Sequence, residues 1–288
     1  MSWNRDLENC FASPILKISR ARKKIAEVEQ DATAFLASSP FKVINQDKAV
    51  DGMSTLARYP AFRHHSQLPP WQDVSLVPSA LFRYVRKIVL IREVPDAVGA
   101  GAGEAIEGLR SVLDQSMHSV ANYLGLTIRG NLYFPFAKTE SDLDGAIRGK
   151  LTDFPLAFRE LLSDFKTFQR QDSLHYALSC AANDSKHVKV TASAVSSSET
   201  YVTGITVSSG AFSGSTPKWD SRLNEMTLIE SWDPIGPNWQ PIKVTFHLNF
   251  AEVPGITGLP VVSALNHMAG EVEAVVSRIK ESMQNCPT

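Results

Sequence analysis

Between Gly103 and Gly125 the chain reads GEAIEGLRSVLDQSMHSVANYLG, with Ile106, Leu109, Leu113, Met117, Val120 and Leu124 recurring at steps of three and four. That spacing is the period of a helix with one continuous apolar stripe, so the segment must pack against other elements along its whole length. Any fold for this chain has to be built around it. At about 100° per residue, Arg110, Asp114 and His118 fall along the flank of the stripe, at the edge of the core. Gly125 is well placed to end the helix. The preceding VGAGAG is small and flexible and lacks the βαβ context and acidic residue of a dinucleotide site, so it reads as a lead-in to the helix.

Other segments follow by pattern. Pro14 to Ser38 carries Ile15, Ile18, Ala21, Ile25, Val28, Ala32 and Phe35 at helical steps and stops at Ser38-Ser39-Pro40. Its basic run, Arg20, Arg22, Lys23 and Lys24, reads as the solvated face of that helix. FKVI and RYVRKIVLIREV are β-rich, with a loop between them that holds the adjacent His64 and His65. Neighbouring residues of an extended chain point apart, so these two histidines do not suggest a metal pair. After NLYFPF, Ser141 is a candidate N-cap followed by Asp142 and Asp144. LTDFPLAFRELLSDFKTF turns Leu156, Leu161, Leu162 and Phe165 inward, and QDSLHYALSCAANDSKH, capped by Asp172 or Ser173, gives a further helix. VKVTASAV, YVTGITVSSGAF, MTLIESW and IKVTFHLNF alternate with period two, which points to an antiparallel meander. Pro260 to Met283 is a closing helix with Val262, Leu265, Ala269, Val272, Val276 and Ile279 as its stripe.

The expected fold is therefore α+β: a helical bundle around a central amphipathic helix, antiparallel β-sheet layers, and a C-terminal helix. One β layer comes from about 41–94 and another from 188–250, with the helical core at about 100–187. Residues 1–288 are read as a single domain, a size that can bury a substantial core.

Composition removes several function classes. A formal net charge of −1 lacks the basic excess of a dedicated nucleic-acid binder. Cys10, Cys180 and Cys286 are far apart and match no zinc or redox spacing, so no metal and no disulfide framework is expected. Nothing indicates a cofactor. No window nears the ~20 apolar residues of a membrane span, and MSWNRDLENC lacks a signal peptide's apolar run. A soluble, cytoplasmic protein is expected.

Two polar clusters could carry chemistry. An arginine and a histidine such as Arg110 and His118 can bind phosphate and shuttle a proton, the minimum for metal-independent RNA cleavage. The plainer account of Arg110 and Asp114 is an intrahelical i,i+4 ion pair worth ~0.2–0.5 kcal/mol, with His118 at its edge. The second cluster is His175 with Asn183, Asp184, Lys186 and His187, at a corner between helix and strand. Cations there satisfy the free carbonyls of a helix end, while Asn and Asp form the turn. A catalytic role for His187 requires that corner to meet the central helix.

GEAIEGLRSVLDQSMHSVA resembles the helix G-D-x-L-H-N-L-R-S-A-L-D-H-L of a widespread group of uncharacterised bacterial proteins. CAANDSKHVKV resembles their N-x-D-K-H segment. FLASSP, NLYFPF and GLPVVSALNHM extend the resemblance over most of the chain. The group's R-S-A-L-D-H is similar to the R-x(4–6)-H motif of HEPN domains, helical proteins many of which are ribonucleases in toxin or phage-defence systems. The resemblance implies Arg110 as the motif arginine and Asp114 as the group's aspartate. The motif histidine position is Gln115, which cannot act as a general base, and His118 lies eight residues from Arg110, outside the motif spacing.

Three classes of function stay open: a non-catalytic scaffold or oligomerisation protein, including a homodimer formed through helices; a HEPN-like ribonuclease or defence protein acting on RNA; and a small-ligand binder. On the residues alone the first ranks highest.

Overall fold

The computed structural model describes residues 6–47, 84–128, 130–169, 174–183, 188, 190–196, 219–231, 244–253 and 255–285. Over these it is an α+β protein whose helices are α1 (Leu7–Ala37), α2 (Asp96–Leu124), α3 (Glu140–Lys150), α4 (Leu156–Asp164), α5 (Leu174–Asn183) and α6 (Val261–Gln284). Its strands are β1 (Phe41–Asp47), β2 (Tyr84–Leu90), β3 (Val190–Ser196), β4 (Trp219–Asp220), β5 (Glu225–Ser231) and β6 (Val244–Phe250). The chain divides into two compact units. Met1–Ala34, Pro95–Thr191 and Asn249–Thr288 form the first; Phe35–Val94 and Ala192–Leu248 form the second.

The first unit is helical and its axis is α2. Ile106, Leu109, Leu113, Met117 and Val120 are fully buried, as the stripe demands. Gly125 ends the helix in the left-handed region at φ 71°, its N–H bonding back to the carbonyls of Ala121 and Asn122. The start differs from the sequence reading. VGAGAG is not a lead-in but the first turns of α2, which begins at Asp96. Small residues are needed there because α1 lies against them: a Cβ on Gly101 would sit 2.8 Å from Val28 Cγ2.

Helix α1 also starts earlier than expected, running from Leu7 through Pro14. The Asp6 carboxylate caps it by accepting the Glu8 N–H at 3.0 Å. Proline has no N–H to give the carbonyl four residues back, so Cys10 O lacks its helical donor. Ser119 Oγ of α2 supplies one at 2.6 Å. Opposite α2, Leu265, Ala269, Val272, Val276 and Ile279 of α6 are buried as expected, and Val261 is buried where Val262 is only partly so.

Three smaller corrections concern caps, faces and loops. Thr139 rather than Ser141 caps α3, its Oγ1 accepting the Asp142 N–H at 3.2 Å. Asp142 answers with its own side chain, its Oδ2 accepting the Thr139 hydroxyl at 2.7 Å. Leu156 is 62% exposed, because α4 begins there and its inward face is Phe158 and Leu162. His64, His65, Asp172, Ser173 and the segment YVTGITVSSGAF lie outside the described residues.

The second unit is built on a sheet of order β1-β2-β5-β4. β2 pairs antiparallel with β1 on one side and β5 on the other, and β4 with β5. The two β-rich stretches thus share one sheet instead of forming separate layers or a meander, and β3 with β6 makes a second pair. The ladder between β2 and β5 shifts at Arg86/Lys87, passing over Leu228. Among the described residues Ile88, Met226 and Leu228 form a buried apolar cluster in this unit, with Phe41, Trp219, Val244 and Phe246 against it. The Phe41 and Phe246 rings stack at 3.6 Å, and Trp219 meets Phe41 edge-on at 5.9 Å.

Candidate functional site

The line of polar residues on α2 resolves into two parts. Arg110 and Asp114, one turn apart, form an ion pair with Arg110 Nη1 2.7 Å from Asp114 Oδ1, their side chains only 19% and 23% exposed. The same oxygen accepts the backbone N–H of Phe134 at 2.8 Å. Arg110 Nη2 reaches Phe134 O at 3.5 Å, and its guanidinium lies 4.2 Å from the centre of the Phe136 ring. The pair therefore holds the NLYFPF segment, whose backbone groups find side-chain partners instead of strand partners. Burial pushes Arg110 below arginine's ordinary value, with the Asp114 charge pulling it back.

The clamped segment is fixed on its other side as well. Thr167 Oγ1 donates to Pro135 O at 2.7 Å, Ala137 N–H to Thr167 O at 3.3 Å, and Gln169 N–H to Ala137 O at 3.2 Å. Phe134 lies 5.3 Å from Phe136 and 6.3 Å from Phe165, over whose ring Arg278 sits at 4.8 Å. Phe134 and Phe136 were not singled out in the sequence. Their signal was an aromatic run without alternation, whose backbone needed partners from elsewhere.

His118 stands apart. It is exposed and makes no hydrogen bond or ion pair among the described residues. Eight residues place it about 12 Å along the helix from Arg110 and roughly 80° around it. Gln115, at the motif-histidine position, accepts a hydrogen bond from the Ser13 hydroxyl of α1 at 2.7 Å. It lies roughly 140° around the helix from Arg110. The position is used to pack α1.

Of the second cluster, Asp184, Lys186 and His187 lie outside the described residues, and Asn183 is described only as the last residue of α5. Val188, just beyond the corner, passes beside Gly99, its carbonyl oxygen 2.8 Å from where a Cβ there would lie. Gly99 is eleven residues, about 16 Å, from Arg110 along α2. His175 instead faces α6. Its side chain is 14% exposed, and its Nε2 is 3.6 Å from Glu271 Oε2. His267 Nε2 lies 3.8 Å from the other oxygen of the same carboxylate. The sequence does not mark Glu271, because its pairing with His267 is an ordinary i,i+4 step on an amphipathic helix.

Among the described residues no group of three or more His, Cys, Asp or Glu side chains could hold a metal ion, and no helix is long and apolar enough to cross a membrane. In the second unit a groove of about 500 Å³ is lined by Trp219, Asp220, Ser221, Arg222, Glu225 and Thr227. Its lining is polar, and much of that polarity is spent locally. Asp220 Oδ1 caps its own turn by accepting the Arg222 and Leu223 N–H groups, and Glu225 pairs with Lys87 at 2.6 Å. Small-molecule sites are predominantly apolar with a few convergent polar groups, which this groove is not.

Compared with protein-family models, with curated proteins and with solved structures, the chain matches none of them.

Proposed function

We propose that this chain is a soluble, cytoplasmic, non-catalytic protein that works by structure and assembly, with the Arg110–Asp114 line serving as a packing clamp. The observation that carries this reading is the double use of Asp114 Oδ1, which accepts from both Arg110 and the Phe134 N–H. A guanidinium only 19% exposed, charge-paired with Asp114 and stacked on Phe136, presents little surface to a substrate phosphate. The glutamine at the motif-histidine position, bonded to Ser13, supports the same view.

Self-association through helices belongs to this reading. What supports it is that α1 leaves Ile15 and Leu16 46% and 53% exposed side by side.

The test is to incubate the purified full chain with single-stranded and hairpin RNA in EDTA, beside Arg110→Ala. No cleavage by the parent and a lowered Tm for the variant are expected. Cleavage by the parent that Arg110→Ala abolishes, with the variant still folded by circular dichroism, would overturn the proposal in favour of a HEPN-like ribonuclease. Sedimentation of the parent and Leu16→Glu decides the assembly. Dimer in the first and monomer in the second are expected, and a monomeric parent removes self-association.

A further inference from the structure

His175 is the second residue of α5, a helix of ten residues. A helix that short is marginal in water and holds its shape by packing. Ala177, Leu178 and Ala181 supply that packing and are buried. His175 Nε2 is buried with no hydrogen-bond partner among the described residues, and the Glu271 carboxylate lies just beyond bonding distance at 3.6 Å.

We infer that His175 makes the seating of α5 on α6 acid-sensitive: protonating it at Nε2 loosens α5 from the bundle. Two effects oppose a charge there. The first is burial, and the second is the positive end of the α5 dipole, since a cation in the first turn of a helix is disfavoured. One effect favours the charge, attraction to Glu271, but that carboxylate is open to solvent and also faces His267 at 3.8 Å. Among the described residues α2, which also packs on α5, contributes no charged group that acts on His175, and α6 contributes Glu271 alone. The balance falls against the cation, and burial accordingly holds His175 below the ordinary histidine range.

The sign follows. Released α5 exposes an imidazole that takes a proton more readily than the seated one, so release binds protons and acid promotes it. Stability of the seating is whole above the ordinary histidine range and falls as pH drops through it toward the lowered value.

Hydrogen–deuterium exchange on the full chain tests this, with protection factors corrected for intrinsic rate. Between pH 7.5 and pH 5.5, α5 protection is expected to fall, by at most about tenfold, while the centre of α2 holds. His175→Gln should remove the pH dependence of α5, Glu271→Gln should deepen it, and His267→Gln should leave the fall in place. A fall that persists in His175→Gln overturns the inference. If that variant does not fold, the imidazole resonances of the parent decide. A His175 midpoint below the ordinary histidine range supports the inference, and one at or above that range overturns it.

Discussion

The two sides of α2 draw on similar polar residues and use them differently. Toward α1 the contacts repeat along the helix: Ser119 with Cys10, Gln115 with Ser13, Ser111 with Lys17, Glu104 with Lys24. The partner numbers in these pairs sum to 128 or 129, so the two helices run antiparallel in one register, with Ala21 at Gly108 and Val28 at Gly101 filling the gaps. Toward the NLYFPF segment a single point does the holding, the Arg110–Asp114 pair. A distributed seam loses little when one member goes, since exposed polar pairs are individually weak and screened by solvent. A point clamp concentrates its contribution and leaves an unpaired charge behind when broken.

The largest expected effect is therefore at the clamp. Asp114→Ala removes the acceptor of the Phe134 N–H and leaves a mostly buried guanidinium without its counter-charge. A loss of about 3 kcal/mol is expected. Chemical denaturation would show it, and exchange of the Phe134 amide should rise in step. Asp114→Asn keeps an acceptor without the charge and should fall between. A loss below that of a typical seam pair would erase the distinction between the two sides.

Next comes the seam's steric part. Gly101→Val places a Cβ 2.8 Å from Val28 Cγ2, a stiff branched side chain that is itself buried, and about 2 kcal/mol of destabilisation is expected from overpacking. Gly270 in α6 has open space around its Cβ position. Gly270→Ala should therefore stabilise by about 0.5–1 kcal/mol through helix propensity alone. Thermal melts of the two variants should move in opposite directions. Equal shifts would mean that close approach is not what selects glycine at 101.

These contrasts mark what the sequence could disclose. The stripe of α2, the end at Gly125 and the stripe of α6 are local periodic signals and were legible. The first turns of α2 were not, because glycines that admit Val28 and glycines that form a loop look alike until the partner helix is known. Pro14 was legible as a helix start and is instead an interior break repaired by Ser119, more than a hundred residues away. The pairing of β5 with β2 across the intervening helices has no local signature either. At the site, Arg110 with Asp114 was legible as an i,i+4 pair. Its third partner, the Phe134 backbone, was not, since a main-chain group carries no mark in the sequence.

A smaller effect tests the charges between α1 and α6. Arg22 holds the Glu273 carboxyl below the usual range by a two-pronged hydrogen bond, at 2.8 Å for each nitrogen. A depressed carboxyl contributes stability above its unfolded value and loses it as pH falls through the folded one. Both side chains are more than a third exposed, so solvent screening limits the contribution to under about 1 kcal/mol. Glu273→Gln should cost that amount at neutral pH and nothing in acid below the carboxylate range, read from paired denaturation curves. A difference that survives in acid would assign the loss to packing.

The smallest effect is expected at His118, and it bears most directly on function. The residue is exposed, bonded to nothing described, and about 12 Å along α2 from the clamp. His118→Ala should change stability by less than about 0.5 kcal/mol, with alanine's helix propensity offsetting any lost contact. A structural clamp at Arg110 and Asp114 has no use for this histidine, whereas a nuclease needs a proton donor or acceptor within reach of the arginine-bound phosphate. The variant thus separates the two roles without perturbing the fold: unchanged melting together with any change in an RNA-cleavage assay would place chemistry on α2, and unchanged behaviour in both is the outcome the clamp requires.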